Sequence, residues 1–135
     1  MIDDVRANGM MAHLLDSLER GEDIGHYGRL VFVMVARHFA ERDELVRLLT
    51  QDRSISEAHA REVVAQVEQA DYSPPRRDKI IDFQSRQDFP ILTNFNDPDE
   101  GNVYKDLHFP DSVYAHIGDY REAKARAEDL AQARS

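Results

Sequence analysis

The sequence predicts an all-α fold: a single compact domain of about five or six helices, with one long ordered loop near the C-terminus. Apolar residues recur at helical spacing along most of the chain. Serine and proline residues at favoured capping positions mark helix starts. A chain of 135 residues suits one domain with its own core, and we place that core at about residues 10–117.

The first half of the chain contains the clearest helical patterns. Residues 3–20 have an amphipathic spacing that Gly21 interrupts. The apolar residues 30–36 are compatible with a buried strand. The periodic region continues beyond them without a turn signal, however, so we predict a buried central helix over residues 27–40. A shorter helix is predicted over residues 42–50.

Two capping signals predict the starts of the next helices. Ser54 and Glu57 match a capping box, which predicts a helix from that point to residue 70. Ser73 followed by Pro74 predicts another helix, running to about residue 87. Serine is a favoured N-cap there, and proline suits the first helical position because its missing N–H would be unpaired anyway.

The region after residue 87 lacks helical periodicity almost to the C-terminus. Residues 88–118 contain three prolines and an Asn- and Asp-rich middle, which predicts one long loop. Its phenylalanine and tyrosine side chains are expected to tether it to the core. Residues 119–135 are polar and rich in alanine, which predicts a peripheral C-terminal helix.

Composition excludes several kinds of site. The chain has no cysteine, so disulfides and thiolate-held zinc or iron–sulfur clusters are excluded. The histidines show no zinc-binding helix motif, and no phosphate-cradling glycine loop or nucleophile motif is present. A stand-alone hydrolase or metal enzyme therefore has no supporting motif. We expect neither a metal ion nor another cofactor.

Apolar segments and charge indicate a cytoplasmic protein with few non-specific partners. No segment approaches the roughly 18 apolar residues that span a bilayer, and the acidic N-terminus does not resemble a signal peptide. The net charge of −9 argues against a broad nucleic-acid surface. The Asp-rich, Lys-poor composition resembles that of proteins from salt-loving organisms, in which acidity maintains solubility and reports habitat rather than partners.

Against this acidic background, two basic groups are candidates for binding an anion. His26 and Arg29 lie three residues apart at the start of the predicted central helix, and Arg37 lies about two turns further along the same side. If this helix start meets the next basic group, the two would form a compact phosphate pocket. The alternative is an ordinary helix start with a solvated arginine.

The second group lies in the first turn of the helix predicted after Ser73. Arg76, Arg77 and Lys79 are placed near the positive end of the helix dipole, where an anion is favoured and cations are not. A bound phosphate would compensate for these charges. The alternative is that the arginines point into solvent. For the neighbouring Tyr72, packing is favoured over stacking against a ligand.

Taken in order, the motifs of this chain resemble one known family. They are residues 10–15 (MMAHLL), 25–29 (GHYGR), 71–75 (DYSPP), 89–90 (FP) and 109–114 (FPDSVY). This order and spacing resemble the helical C-terminal domain of archaeal and eukaryotic primase large subunits. That domain has an H-x-x-R motif before an apolar helix and, downstream, a Y-T/S-P-P-S-C motif. The resemblance covers about residues 10–116.

The chain departs from this family at the cofactor. The family's domain holds a [4Fe–4S] cluster on four cysteines, whose positions fall near Met10, Arg77, Phe89 and Asn102. Met and Phe cannot replace a thiolate in such a cluster. The resemblance is therefore to an iron–sulfur-free form, like the small cluster-less third primase subunit of some archaea or the helical domain of plasmid primase–polymerases.

The resemblance implies an accessory, non-catalytic role in starting a primer during DNA replication. His26 and Arg29 would contact the triphosphate of the initiating nucleotide or the backbone of a single-stranded DNA template. The chemistry would belong to a partner, either a primase catalytic (small) subunit or a fused primase–polymerase domain. The candidate binding residues are His26, Arg29, Arg37, Tyr72, Arg76 and Arg77. The alternative function is a protein-interaction adaptor in a replication or mobile-element complex, without nucleotide binding.

Overall fold

A computed structural model describes residues 1–117 of the chain, and the peripheral helix predicted after residue 118 lies outside the described residues. Within this range the chain contains helices and turns but no strand, which confirms the all-α prediction. None of the helices described there is long and apolar enough to cross a membrane.

The described helices follow one another with short connections until residue 84. In chain order they are a 3-10 helix at Ile2–Ala7, α1 at Gly9–Glu19, α2 at Gly25–Ala36, α3 at Arg42–Leu49, α4 at Glu57–Ala70, α5 at Arg77–Gln84 and α6 at Val103–Asp106. Residues 111–117 are again helical.

Helix α2 lies at the centre of the fold. Every residue from 28 to 36 is buried, and α2 packs against α1, α3, α4 and α5. A helix that is apolar on all sides is stable only when other elements surround it. The alternative of a strand at residues 30–36 is therefore wrong, and α2 is the frame on which every candidate residue is placed.

The first predicted helix is divided in two at Asn8. Its extended backbone ends the 3-10 helix, and its side-chain oxygen caps α1 by accepting a hydrogen bond from the Met11 N–H at 3.0 Å. The Asn8 amide also donates to Asp106 at 3.0 Å, which ties α6 to the start of α1.

Helix α4 begins two residues later than the predicted capping box. Its N-cap is Ser56, whose hydroxyl accepts from the His59 N–H at 3.0 Å. Ser54 belongs instead to the preceding turn, in which both its N–H and its hydroxyl donate to the Asp52 carboxylate. The local hydrogen bonds of that turn therefore displace the helix start.

Helix α5 also begins later than predicted, which corrects the role of Ser73. The residue before the helix is Arg76, in extended conformation and without a side-chain cap, so Arg77 is the first helical residue. The second proline provides the reason. Pro75 disfavours helical backbone at the residue before it, so Pro74 cannot open the helix.

The predicted long loop is partly helical and is held by aromatic contacts. It contains α6 and the helical residues 111–117. Phe109 is fully buried, with its ring 5.7 Å from Phe39 and 5.5 Å from Tyr104. The Tyr104 hydroxyl donates to the Pro74 carbonyl. The expectation that aromatic side chains tether this segment is confirmed.

Candidate functional site

Arg29 lies in the protein interior, where two carboxylates surround its guanidinium group. Its Nη1 donates to Asp23 at 3.0 Å and to Asp52 at 3.1 Å. Arg29 is only 8% exposed and Asp52 only 1%. A buried guanidinium with this pairing links α2 to the turn between α3 and α4. It is not a free cation that awaits a phosphate.

The partners of Arg29 could not be identified from the sequence. Asp52 is 23 residues away, and no local pattern relates the two residues. Asp52 is itself fixed, because it also accepts the hydrogen bonds from Ser54. An acidic chain offers many carboxylates, and only the fold shows which one becomes buried beside Arg29.

His26 is exposed at the first turn of α2, with its ring 5.3 Å from the ring of Tyr27 in an edge-on arrangement. Partial burial lowers the pKa of His26 below its ordinary value, and the positive charge of Arg29 and the nearby His59 lower it further. At neutral pH the side chain is therefore uncharged. It can donate or accept a hydrogen bond, but it contributes little charge to a phosphate site.

Gln87 occupies the N-terminus of α2, where an anion would otherwise be favoured. Its side-chain oxygen accepts from the N–H groups of Tyr27 at 2.8 Å and Gly28 at 3.3 Å. Its amide nitrogen donates to the carbonyl of Ile24 at 2.9 Å. Gly25 permits this approach, because a Cβ atom there would overlap the Gln87 amide. A neutral side chain therefore takes the place of a phosphate.

The first basic group is divided by α2: His26 and Arg29 lie near its start, whereas Arg37 lies at its end, near the second group. Gln87, just beyond the end of α5, contacts the start of α2. At the other end of α2, Arg37 contacts the backbone of Tyr72, shortly before α5 begins. Helices α2 and α5 are therefore antiparallel, and the two helix starts do not converge into one pocket. The binding roles of these residues remain predictions.

Arg37 and Arg77 both hold neighbouring segments in place. The Nη2 of Arg37 donates to Asp71 at 2.7 Å and to the Tyr72 carbonyl at 3.1 Å, and its side chain is 17% exposed. This hydrogen bond keeps the pKa of Asp71 below its ordinary value. Arg77 donates to the Phe95 carbonyl at 3.1 Å. Both guanidinium groups are therefore engaged within the fold.

The remaining cations lie on the outer face of α5. Arg76 is exposed and makes no side-chain hydrogen bond or ion pair with residues 1–117. One turn further, the Lys79 ammonium lies 5.1 Å from the Phe83 ring centroid and 3.9 Å from an Asp82 oxygen. Tyr72 is 43% exposed. We call Tyr72, Arg76, Lys79 and Phe83 the α5 surface.

A groove of about 360 Å³ borders the α5 surface. Leu30 and Met34 of α2, both nearly buried, form its floor, and Pro75 lies at its side with Tyr72 and Phe83. Among residues 1–117, no acidic side chain lines the groove, although 26 of the 135 residues of the chain are Asp or Glu. The groove is thus apolar inside and cationic at its edge.

A larger, more open cleft of about 700 Å³ lies near the end of α2, and its chemistry is different. Glu41, Asp43 and Glu68 line it, and Arg42 is paired with Glu68 at 2.5 Å. Its carboxylates outnumber its cations, so it is less suited to an anion than the groove beside α5. Within residues 1–117, no group of three or more histidine or carboxylate side chains is arranged to hold a metal ion.

Comparisons of the chain with protein-family models, with curated proteins and with solved structures give no match. The function proposed below therefore rests on the geometry of the described residues.

Proposed function

We propose that this protein is an accessory, non-catalytic module of a DNA primase that holds nucleotide and single-stranded template during primer initiation in the cytoplasm. Its partner would be a primase catalytic subunit or a fused primase–polymerase domain, on which the chemistry takes place. The α5 surface, rather than the start of α2, is the better candidate for contact with a strand, because its cations are accessible.

The observation that carries this proposal concerns the positions at which the family has its cluster cysteines. Three of them, Met10, Arg77 and Asn102, lie in one part of the fold. Met10 and Gly101, which directly precedes Asn102, line the same cleft. The Cγ atom of Arg77 lies 3.8 Å from the position that a Cβ atom would occupy if Gly101 carried a side chain. Leu92 fills the space beside them. Under the proposal, packing between these residues would take the place of a cluster.

The α5 surface supplies the second support. It presents two cations and an exposed aromatic ring beside a groove whose described lining contains no carboxylate, on a chain of net charge −9. Proteins that bind single strands commonly combine cations, which contact phosphates, with aromatic rings, on which bases stack. A small cationic surface on an acidic protein would favour one strand over a whole duplex.

The test is a titration of the protein with a fluorescently labelled single-stranded oligonucleotide, and in parallel with labelled ATP, followed by anisotropy. We expect the Arg76→Ala/Lys79→Ala variant to bind the strand about tenfold more weakly, since two exposed charge contacts of up to about 1 kcal/mol each are lost. The slope of log affinity against log salt should decrease by about 1.4, because each phosphate contact on a single strand contributes about 0.7.

The matched control is Arg47→Ala/Arg53→Ala, which removes the same charge from exposed positions elsewhere. This variant should keep the affinity of the original protein. Equal losses in both variants would indicate a general charge effect and would contradict a site on α5. Absence of binding to both oligonucleotide and ATP by the unmodified protein would contradict the proposed function itself.

The apolar floor of the same groove favours a second candidate, a protein-interaction adaptor. Leu30 and Met34 would accept an apolar side chain of the catalytic subunit. This function predicts a stable complex with that subunit but no measurable affinity for nucleotide or strand. Sedimentation of the two purified proteins, together with the titration above, distinguishes the two candidates.

A further inference from the structure

We infer that the groove beside α5 receives one base of a single-stranded nucleic acid, while Arg76 and Lys79 contact the phosphates on either side of it. This inference rests on the proposed function and specifies where and how the strand is bound. It assigns Tyr72 to stacking, whereas the sequence favoured packing for this residue.

The groove has the chemical pattern that a base requires. A base has two apolar faces and a polar edge, and it stacks on aromatic rings. Here Leu30 and Met34 form an apolar floor, and the half-exposed ring of Tyr72 stands beside it. Gln66 and Ser73 complete the lining with an amide and a hydroxyl.

These two polar groups are available to a ligand. Among the described residues, neither the Gln66 amide nor the Ser73 hydroxyl makes a hydrogen bond. An amide can donate to and accept from the edge of a base at the same time, and a hydroxyl can do either. An aliphatic side chain from a protein partner could not hydrogen-bond to either group, which favours a base over such a side chain.

Charge around the groove favours a ligand with phosphates. Arg76 precedes α5, Lys79 lies within it and Arg86 follows it, and two carboxylates, Asp78 and Asp82, lie between them in sequence. Asp82 lies 3.3 Å from Arg86 and 3.9 Å from Lys79. Three cations thus accompany two anions, and neither anion is among the described residues that line the groove. Arg76, which has no partner among residues 1–117, lies closest in sequence to Tyr72 and Ser73.

The spacing of the cations favours a strand over a free triphosphate. Helix α5 has eight residues and extends about 12 Å, so the cations form a row and not a cluster. A row contacts phosphates that are spaced along a backbone, whereas a triphosphate concentrates its charge at one point. The groove volume of about 360 Å³ lies at the lower end of the range of ligand pockets, which fits one base.

The experiment uses a labelled oligo-dT strand and the full protein. We expect Tyr72→Ala to weaken binding by roughly 5- to 150-fold, the effect of losing one stacked base, and Tyr72→Phe to retain the affinity. Phe95→Ala is the matched control, because Phe95 is 54% exposed and lies outside the groove. This control should bind like the unmodified protein.

A second probe separates the base from the phosphates. An abasic strand of equal length keeps the backbone charge, and we expect it to bind to the unmodified protein as weakly as oligo-dT binds to Tyr72→Ala. On the abasic strand, Tyr72→Ala should cause no further loss. Together these results would support a base in the groove.

Three outcomes would overturn the inference. If Tyr72→Ala and the unmodified protein bind oligo-dT equally, the strand lies elsewhere, although the proposed function stands. If abasic and oligo-dT strands bind equally, only phosphates are recognised. If a catalytic subunit and not the strand protects Tyr72 from chemical iodination, the groove is a protein-docking site. A failure of the unmodified protein to bind any strand or nucleotide would refute the proposed function as well.

Discussion

The start of α2 and the α5 surface both contain basic and aromatic side chains, but the arginine at the start of α2 is paired within the fold, whereas the cations of the α5 surface are exposed. At the start of α2, Arg29 is buried between Asp23 and Asp52, and Gln87 covers the helix N-terminus. On α5, Arg76 is exposed and unpaired among the described residues, and Lys79 has one distant carboxylate neighbour.

The difference shows that an arginine at a helix start can either be paired within the fold or remain accessible to a ligand. Arg29 matches a motif more closely than Arg76 does, but its charge is already compensated within the fold. The ion pairs of Arg29 therefore stabilise the folded protein, whereas the unpaired charge of Arg76 remains available to a ligand. Substitutions in the two regions should separate stability from affinity.

The largest effect is expected from Arg29→Met, which retains the apolar stem but leaves Asp52 buried without its cation. We expect the free energy of unfolding to decrease by about 3–5 kcal/mol, as is typical when one partner of a buried pair is removed. Chemical denaturation followed by circular dichroism measures this change.

The double variant Arg29→Met/Asp52→Asn is the control for this prediction. Asparagine removes the buried charge and still offers Ser54 an acceptor. The loss of unfolding free energy in the double variant should therefore be smaller than the sum of the losses in the two single variants, by about 0.5–3 kcal/mol. A loss below about 1 kcal/mol for Arg29→Met, which is typical of an exposed pair, would contradict the buried role of Arg29.

A smaller effect is expected from Gln87→Ala. This change leaves the N–H groups of Tyr27 and Gly28 without their acceptor, and we expect a loss of about 1–3 kcal/mol in the free energy of unfolding. Gln66→Ala provides a matched control at an exposed position and should stay within about 0.5 kcal/mol. Equal stabilities of the two variants would show that Gln87 does not hold the start of α2.

The pH dependence of stability offers a test that does not depend on affinity. Burial lowers the pKa of His38 below its ordinary value, and Arg37 lowers it further, while Asp71 raises it. The unfolded chain therefore binds a proton first as the pH falls. The stability that neutral His38 provides is complete above the unfolded pKa of about 6.5 and decreases as the pH falls below it.

We expect His38→Phe to flatten the pH profile of the unfolding free energy between about pH 7.5 and 5.5, since phenylalanine keeps a ring near Phe109 and cannot be protonated. Denaturation at a series of pH values measures the profile. Strand affinity should not change, because His38 lies outside the α5 surface. A profile that remains as steep as in the original protein would assign the titration to other groups.

The smallest change in stability is expected for Arg76→Ala/Lys79→Ala. Both side chains are exposed, so the free energy of unfolding should remain within about 0.5 kcal/mol of the original value. Thermal denaturation checks this at the same concentrations that are used for strand binding. A large loss would show that these cations stabilise the fold and would remove the contrast with Arg29.

The sequence predicts the helical framework well where periodicity is long. Helix α3 falls within its predicted range. Helix α2 overlaps its predicted range but begins two residues earlier, at Gly25, and ends four residues earlier, at Ala36. The starts of α4 and α5 were predicted too early. At Ser54 a competing turn takes the hydroxyl, and at Pro74 a second proline, which was visible in the sequence, forbids the helical conformation.

The candidate site was less predictable, because pairing across the fold decides it. The sequence could identify His26 and Arg29 as a motif, but not the burial of Arg29 against Asp52 or the side chain of Gln87 at the helix start. For the α5 surface a signal existed. Lys79 and Phe83 lie four residues apart, which places them on one face of α5, and Arg76 directly precedes this helix.

The most direct test of the contrast is a titration of isotope-labelled protein with oligo-dT, followed by amide chemical shifts. We expect the largest shifts at Tyr72, Arg76 and Lys79, and none beyond the experimental error at residues 25–29. Shifts concentrated at residues 25–29, with the amides of the α5 surface unchanged, would contradict the account and return the binding site to the start of α2.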